Sequence, residues 1–189
     1  MPEPRHPLDH LIDAAGGEAG GLTLRSVREA TCAHVLARAE TAGAVAAALG
    51  AGTAVRTVAR TEDGLGFWCV APGRWWAVAE TGRSAGIAAD LADRIAGEGY
   101  VSDQSAARVL IRITGPRWPD LLAKGCGLRP DTIRAATCAQ TQIAHVSAAL
   151  AGTPDGTGMD WLVPSGFAIS LWEWLETATA VYRPAVIAR

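Results

Sequence analysis

The chain reads as an α+β protein made of two similar split β-α-β-type units, each running strand-helix-strand-strand-helix. Antiparallel sheets with helices packed on one face are the expected product. Three observations carry this reading. Val109, Ile111 and Ile113 alternate with Arg108, Leu110 and Arg112, the period of a half-buried strand. Ile87, Leu91, Ala92 and Ile95 share one helical face, with Asp90, Asp93 and Arg94 opposite. Trp76-Ala77-Val78 in the first half lines up with Trp161-Leu162-Val163 in the second, each ahead of a Ser or Thr, a Gly and a helix. The chain has 189 residues, 49% of them hydrophobic, so it can bury a sizeable core as one domain or two small lobes.

Residues 1–21 read as an arm. Pro2, Pro4 and Pro7 oppose regular structure, after which Leu8, Leu11, Ile12 and Ala15 fall on one face of a short helix. A Gly-rich joint, Gly16 to Gly21, follows. So short a helix is marginal alone in water, and its apolar stripe needs a surface to lie on. Residues 22–189 form one α+β domain with lobes at about 30–102 and 103–180. In the first lobe, Thr31 to Glu40 is a strand and Ala42 to Leu49 an Ala-rich helix. Gly66–Val70 and Arg74–Ala79 pair as a hairpin about Ala71-Pro72-Gly73, and Ser84 to Ala96 is a helix. In the second lobe, the strand from Arg108 runs into Gly115-Pro116. Pro116 stands where a helix can begin, and Gly125 where it ends. Thr137 to Leu150 reads as one long strand. Thr153 to Gly158 is a turn-rich loop, Asp160 to Val163 returns, and Gly166 to Ala178 is the last helix.

Composition excludes several functions. Net charge is -2, Lys124 is the only lysine and the arginines are scattered, so no clustered basic patch exists for nucleic acid. No stretch approaches the ~20 apolar residues that span a bilayer, and the N-terminus has prolines and charges where a signal peptide needs an apolar run. Cys32, Cys69, Cys126 and Cys138 form no C-x-x-C pair or zinc-knuckle spacing, which fits four reduced thiols in a cytoplasmic protein.

No catalytic, cofactor-binding or metal-binding residue emerges from the pattern. His6 and His10 stand i, i+4, but Pro7 lies between them and no third ligand is near. His34 and His145 fall in expected strands. Cys126 follows a helix C-terminus, where the dipole disfavours a thiolate. Gly64-Leu65-Gly66 precedes a strand and lacks the third glycine of a dinucleotide fingerprint. Asp103 and Arg108 pair, face a partner, or stand at a solvent-facing strand end.

The seven tryptophans say more. Trp75 and Trp76 are adjacent on a strand and point to opposite faces. In the last helix, Phe167, Leu171, Trp174, Leu175 and Ala178 share a core face, and Ile169 and Trp172 fall outside it. Leaving a Trp in water forgoes part of the roughly 150–250 Å² it can bury, worth several kcal/mol at about 25 cal/mol per Å². Trp172 and one of Trp75 and Trp76 are therefore expected at subunit contacts, the alternative being a core face wide enough to bury them. The expected interface set is Leu8, Leu11, Ile12, Trp75, Trp76, Ile169 and Trp172.

Asp103–Pro116 (DQSAARVLIRITGP), Leu121–Cys126 (LLAKGC), Cys138–Thr141 (CAQT) and Ser165–Phe167 (SGF) occur in an order that resembles the gamma subunit of heterotetrameric sarcosine oxidase. Leu22–Glu29 and the amphipathic arm fit too. The resemblance implies a small, non-catalytic subunit of a flavoenzyme that demethylates sarcosine and passes the one-carbon unit to tetrahydrofolate. Its fold would be related to the folate-binding domain of the glycine-cleavage T-protein. Its partners would be alpha, beta and delta subunits. FAD, FMN, NAD, tetrahydrofolate and zinc would belong to those subunits, and none to this chain. Ala106 and Val163-Pro164 depart from the family's usual Asn and basic-serine pair. The alternatives are a gamma-like subunit of another N-methyl amino acid dehydrogenase and a free-standing small-ligand or folate-binding module.

Overall fold

A computed structural model describes residues 7–8, 17–19, 21–80 and 86–182. The elements in order are β1 (Gly17–Ala19), β2 (Leu22–Ser26), β3 (Thr31–Ala37), α1 (Ala42–Leu49), β4 (Thr57–Arg60), β5 (Gly66–Ala71), β6 (Arg74–Ala79) and α2 (Ile87–Ile95). Then come β7 (Gly99–Asp103), β8 (Arg108–Thr114), α3 (Trp118–Gly125), β9 (Cys138–Ile143), β10 (Val146–Gly152), β11 (Gly158–Pro164) and α4 (Ala168–Thr179). Two antiparallel sheets result, ordered β1-β2-β8-β11-β10-β9 and β4-β5-β6-β3-β7.

Strand alternation sorts the core into three layers. Val109, Ile111, Ile113 and Trp161 meet Leu121 and Leu122 of α3 and Leu171 and Leu175 of α4 on the outer face of the six-stranded sheet. Ala33, Val35, Trp75 and Ala77 meet Val45 and Leu49 of α1 and Leu91 and Ile95 of α2 on the outer face of the other. Between the sheets, Leu110 and Leu162 pack on Cys32, Trp68, Trp76 and Val78. The arrangement is helix, sheet, sheet, helix, with each sheet bearing helices on one face.

The sheets join along one side. Thr57 bridges Thr137, Val58 N–H donates to Ala136 O at 2.9 Å, and Cys138 N–H donates to Arg56 O at 3.1 Å. The two units have the same strand order, β4-β5-β6-β3-β7 against β9-β10-β11-β8-β2. The last place in the second series is filled by β2, which comes from the front of the chain.

Several expectations need correction. The matching tryptophans are Trp75 and Trp161, not Trp76 and Trp161. Trp75 pairs with Val35 and Trp161 with Ile111, all on helix-facing sides. A one-residue slip in the sequence match puts the residue on the wrong face. Residues 137–150 are not one strand. They form the β9–β10 hairpin, turning at Ala144 (φ 46°) and His145 (φ 70°). Such a turn normally announces itself with Asn-Gly. Here Ala144 N–H is tied to Gly125 O at 2.9 Å instead. Within the supposed flexible joint, Gly17–Ala19 pairs with Leu22–Leu24. Phe167 lies in a 3-10 turn before α4 and is 57% exposed, outside the core face.

Gly125 ends α3 for a different reason from the one expected. It needs no left-handed backbone, but a Cβ there would sit 2.6 Å from Cη2 of Trp174. Gly115 meets both demands, with φ 108° and a Cβ position 2.1 Å from Gly21 O. The strand end at Gly115-Pro116 is thereby packed against the turn between β1 and β2.

Candidate interaction surface

The expected interface residues scatter. Leu8 is fully buried in the outer core of the six-stranded sheet. Leu11 and Ile12 lie outside the described residues, as do His6 and His10. Trp75, Trp76 and Trp172 are at most 5% exposed within the chain, which overturns the exposure argument for all three. Trp75 and Trp76 do point to opposite faces, but helices cover one and the other sheet covers the second. Trp75 Nε1–H donates to Gly52 O at 2.9 Å, and Trp172 Nε1–H to Glu176 Oε1 at 3.1 Å. The face α4 buries is wider than a strict stripe and takes in Trp172 beside Leu171 and Leu175. Ile169 remains partly exposed at 37%. Tyr100, at 68%, is an exposed aromatic that the sequence reading missed, because β7 was not recognised as a strand.

The thiols divide into two groups. Burial pushes Cys32 and Cys138 up to about 12, and raises Cys69. These three are buried, and Cys126 is partly exposed. Its Sγ accepts Leu128 N–H at 3.2 Å and lies 3.6 Å from Thr141 Oγ1. Leu121–Cys126 and Cys138–Thr141 therefore meet in space. Their ends, Ala123 to Cys126 and Thr141, line an open surface concavity with Gln142, His145 and Trp174. Lys124 at its rim donates to Ala178 O at 2.8 Å and lies 4.2 Å from the Tyr182 ring centroid. Among the described residues no group of three His, Cys, Asp or Glu side chains is placed to hold a metal ion.

One end of the space between the sheets is charged. Arg112 Nε and Nη2 donate to Asp160 at 2.7 and 2.8 Å, and its Nη1 donates to Glu80 at 2.8 Å. Asp160 is 3% exposed. Hydrogen bonding to Arg112 holds the Glu80 carboxyl below its ordinary value. The bonds to Asp160 lead in holding Arg112 firmly protonated. Arg60 ties the two sheets together through Gly152 O at 2.8 Å. A carboxylate with both oxygens committed to one guanidinium is a structural tie, not a base waiting for a substrate.

At the opposite side, near β7, the balance of charge is cationic. The His34 and Trp76 rings stack with centroids 4.5 Å apart, and Arg108 lies 4.7 Å over the Trp76 ring. Burial first, then Arg74 and Arg108, lower the His34 pKa and keep the ring neutral. Asp103 makes no salt bridge to Arg108 and accepts Ser105 N–H at 2.8 Å instead. Strand register puts Tyr100 and Ser102 on the same face, beside Leu36 and His34.

No protein-family model matches the chain. It is 37% identical over 129 residues to the sarcosine oxidase subunit gamma of an Arthrobacter species. It is 34% identical over 129 residues to the same subunit from Corynebacterium sp. strain P-1. The matched stretch is 65% of this chain and 63% of each relative, so it spans less than two thirds of their length. A chain of the heterotetrameric sarcosine oxidase from Corynebacterium sp. U-96 superposes with a TM-score of 0.81. That match is 25% identical and covers 98% of this chain and 99% of the other. The glycine cleavage system aminomethyltransferase T of Bartonella henselae shares the fold, with a TM-score of 0.64 and 21% identity over 88% of this chain and 48% of that enzyme.

Proposed function

We propose that this chain is a non-catalytic, gamma-type subunit of a sarcosine-oxidase-like heterotetramer, acting in assembly and stabilisation. The supporting observation is the near end-to-end superposition on one chain of a heterotetrameric sarcosine oxidase. The chemistry of the chain agrees. Among the described residues, the buried carboxylate Asp160 is locked to an arginine, three of the four thiols are buried and shifted away from reactivity, and His34 is stacked and neutral. In this reading the alpha, beta and delta subunits carry FAD, FMN, NAD, tetrahydrofolate and zinc, and oxidise the N-methyl group of sarcosine in the cytoplasm.

An affinity tag on this chain, in its native host, tests the reading. Recovery of flavin-containing subunits with sarcosine-dependent turnover is the expected result. Recovery of the chain alone, from cells whose sarcosine oxidation survives its deletion, contradicts it.

A further inference from the structure

The two sheets are twins except at one edge. In the six-stranded sheet β1 lies outside β2. The equivalent place in the other sheet, outside β7, holds no strand among the described residues. The direction of its backbone groups can be worked out. Gln104 N–H donates to Cys32 O at 2.9 Å, whereas Ala37 N–H donates to Gly73 O at 2.8 Å, on the β6 side. Even-numbered residues of β3 thus bond to β7. Antiparallel alternation then turns the N–H and C=O of Tyr100 and Ser102 inward, and those of Val101 and Asp103 outward.

Isolated proteins guard such an edge with Lys, Pro, a bulge or an inward charge. The Gly99–Asp103 strand has no Lys, Arg or Pro, and its register with β3 is unbroken. Its one carboxylate, Asp103, is turned onto Ser105 N–H. Tyr100 stands 68% exposed beside the open backbone. The face that Tyr100 shares with His34 and Trp76 is flanked by Arg74 and Arg108. Arg108 forms no salt bridge with the nearby Asp103.

We propose that the β7 edge takes an extended segment of a larger subunit as an added strand, with an acidic residue of that segment facing Arg74 and Arg108 and an apolar one beside Tyr100. The proposal rests on the assembly role above, which supplies the partner. A second copy of this chain suits the edge less well. It would bring the same two arginines, while its own Asp103 is already engaged with Ser105.

Hydrogen exchange, read amide by amide on the chain alone and in the purified complex, tests this. The expected result is that Val101 and Asp103 amides exchange fast in the free chain and become protected in the complex, while Tyr100 and Ser102 stay protected in both. Val101→Pro removes an outward N–H and no bond to β3, a substitution edge strands tolerate. It should weaken assembly about tenfold, the value of one hydrogen bond of roughly 1.4 kcal/mol. If the complex forms and these two amides still exchange freely, the edge is not the docking strand, although the assembly role stands. Protection that appears in the chain alone as its concentration rises assigns the edge to a second copy and overturns the proposal. If no complex forms, both readings fail.

Discussion

The two units share a strand order, yet they treat the same tryptophan differently. Trp75 and Trp161 occupy matching positions, both fully buried beneath helices. Trp75 donates its indole N–H to Gly52 O, whereas Trp161 Nε1 is buried with no partner among the described residues. The space between the sheets differs too. In the middle Leu110, Leu162 and Trp76 make an apolar seam, and at one end Arg112, Asp160 and Glu80 make an ionic tie. Packing is what the two units share. Polar partners and exposed edges are where the units diverged.

The sharpest way to break this comparison is at the ionic tie. Arg112→Met strands Asp160 in the interior, and should cost about 3–5 kcal/mol. Chemical denaturation would show this, while Leu162→Val in the apolar seam should cost about 1 kcal/mol. Equal effects would mean that the two regions are not distinct in kind.

The tryptophan pair gives the next contrast. Trp75→Phe gives up the bond to Gly52 O and should cost about 1 kcal/mol more than Trp161→Phe, which removes an N–H with no partner among the described residues. Gly125→Ala should cost about 1–3 kcal/mol by pushing a methyl into Trp174. Thermal unfolding of the purified variants measures both.

The pH response is smaller. His34 has its folded pKa held below the ordinary 6.5 by burial and by Arg74 and Arg108. The unfolded chain therefore binds this proton more readily. Stability is intact above about pH 6.5 and falls as pH drops below it toward the folded pKa. His34→Gln should reduce the fall of the urea midpoint between pH 7 and about pH 5.5. The smallest effect concerns the thiols. In the native chain a thiol reagent should modify Cys126 first, with Cys32, Cys69 and Cys138 following only on unfolding.

Long, strongly periodic segments were legible in the sequence. The bounds of α1 and β6 agree to the residue and those of β8 closely, and the expected α2, Ser84 to Ala96, ends within a residue while its expected start lies outside the described residues. Those segments bury one face, so their periodicity reports their surroundings. The misses have physical causes. β4 and β7 are short edge strands whose residues face unlike environments, so no alternation shows. The β9–β10 turn uses Ala144-His145, which lacks turn chemistry and is held by a tertiary bond to Gly125. Trp75, Trp76 and Trp172 looked too many for one core because the sequence could not show that two sheets lie back to back, giving three buried layers. The charged tie was invisible for the same reason, since Glu80, Arg112 and Asp160 meet only across sheet pairings.

The most direct measurement is intact mass of the complex made by co-expressing this 19.6 kDa chain with its candidate flavoprotein and zinc-protein partners, and of the same mixture without it. The account predicts one stable hetero-oligomer containing it, and loss of that assembly when it is omitted. A fully assembled, active oxidase in its absence would contradict the account, as would sarcosine turnover by this chain alone.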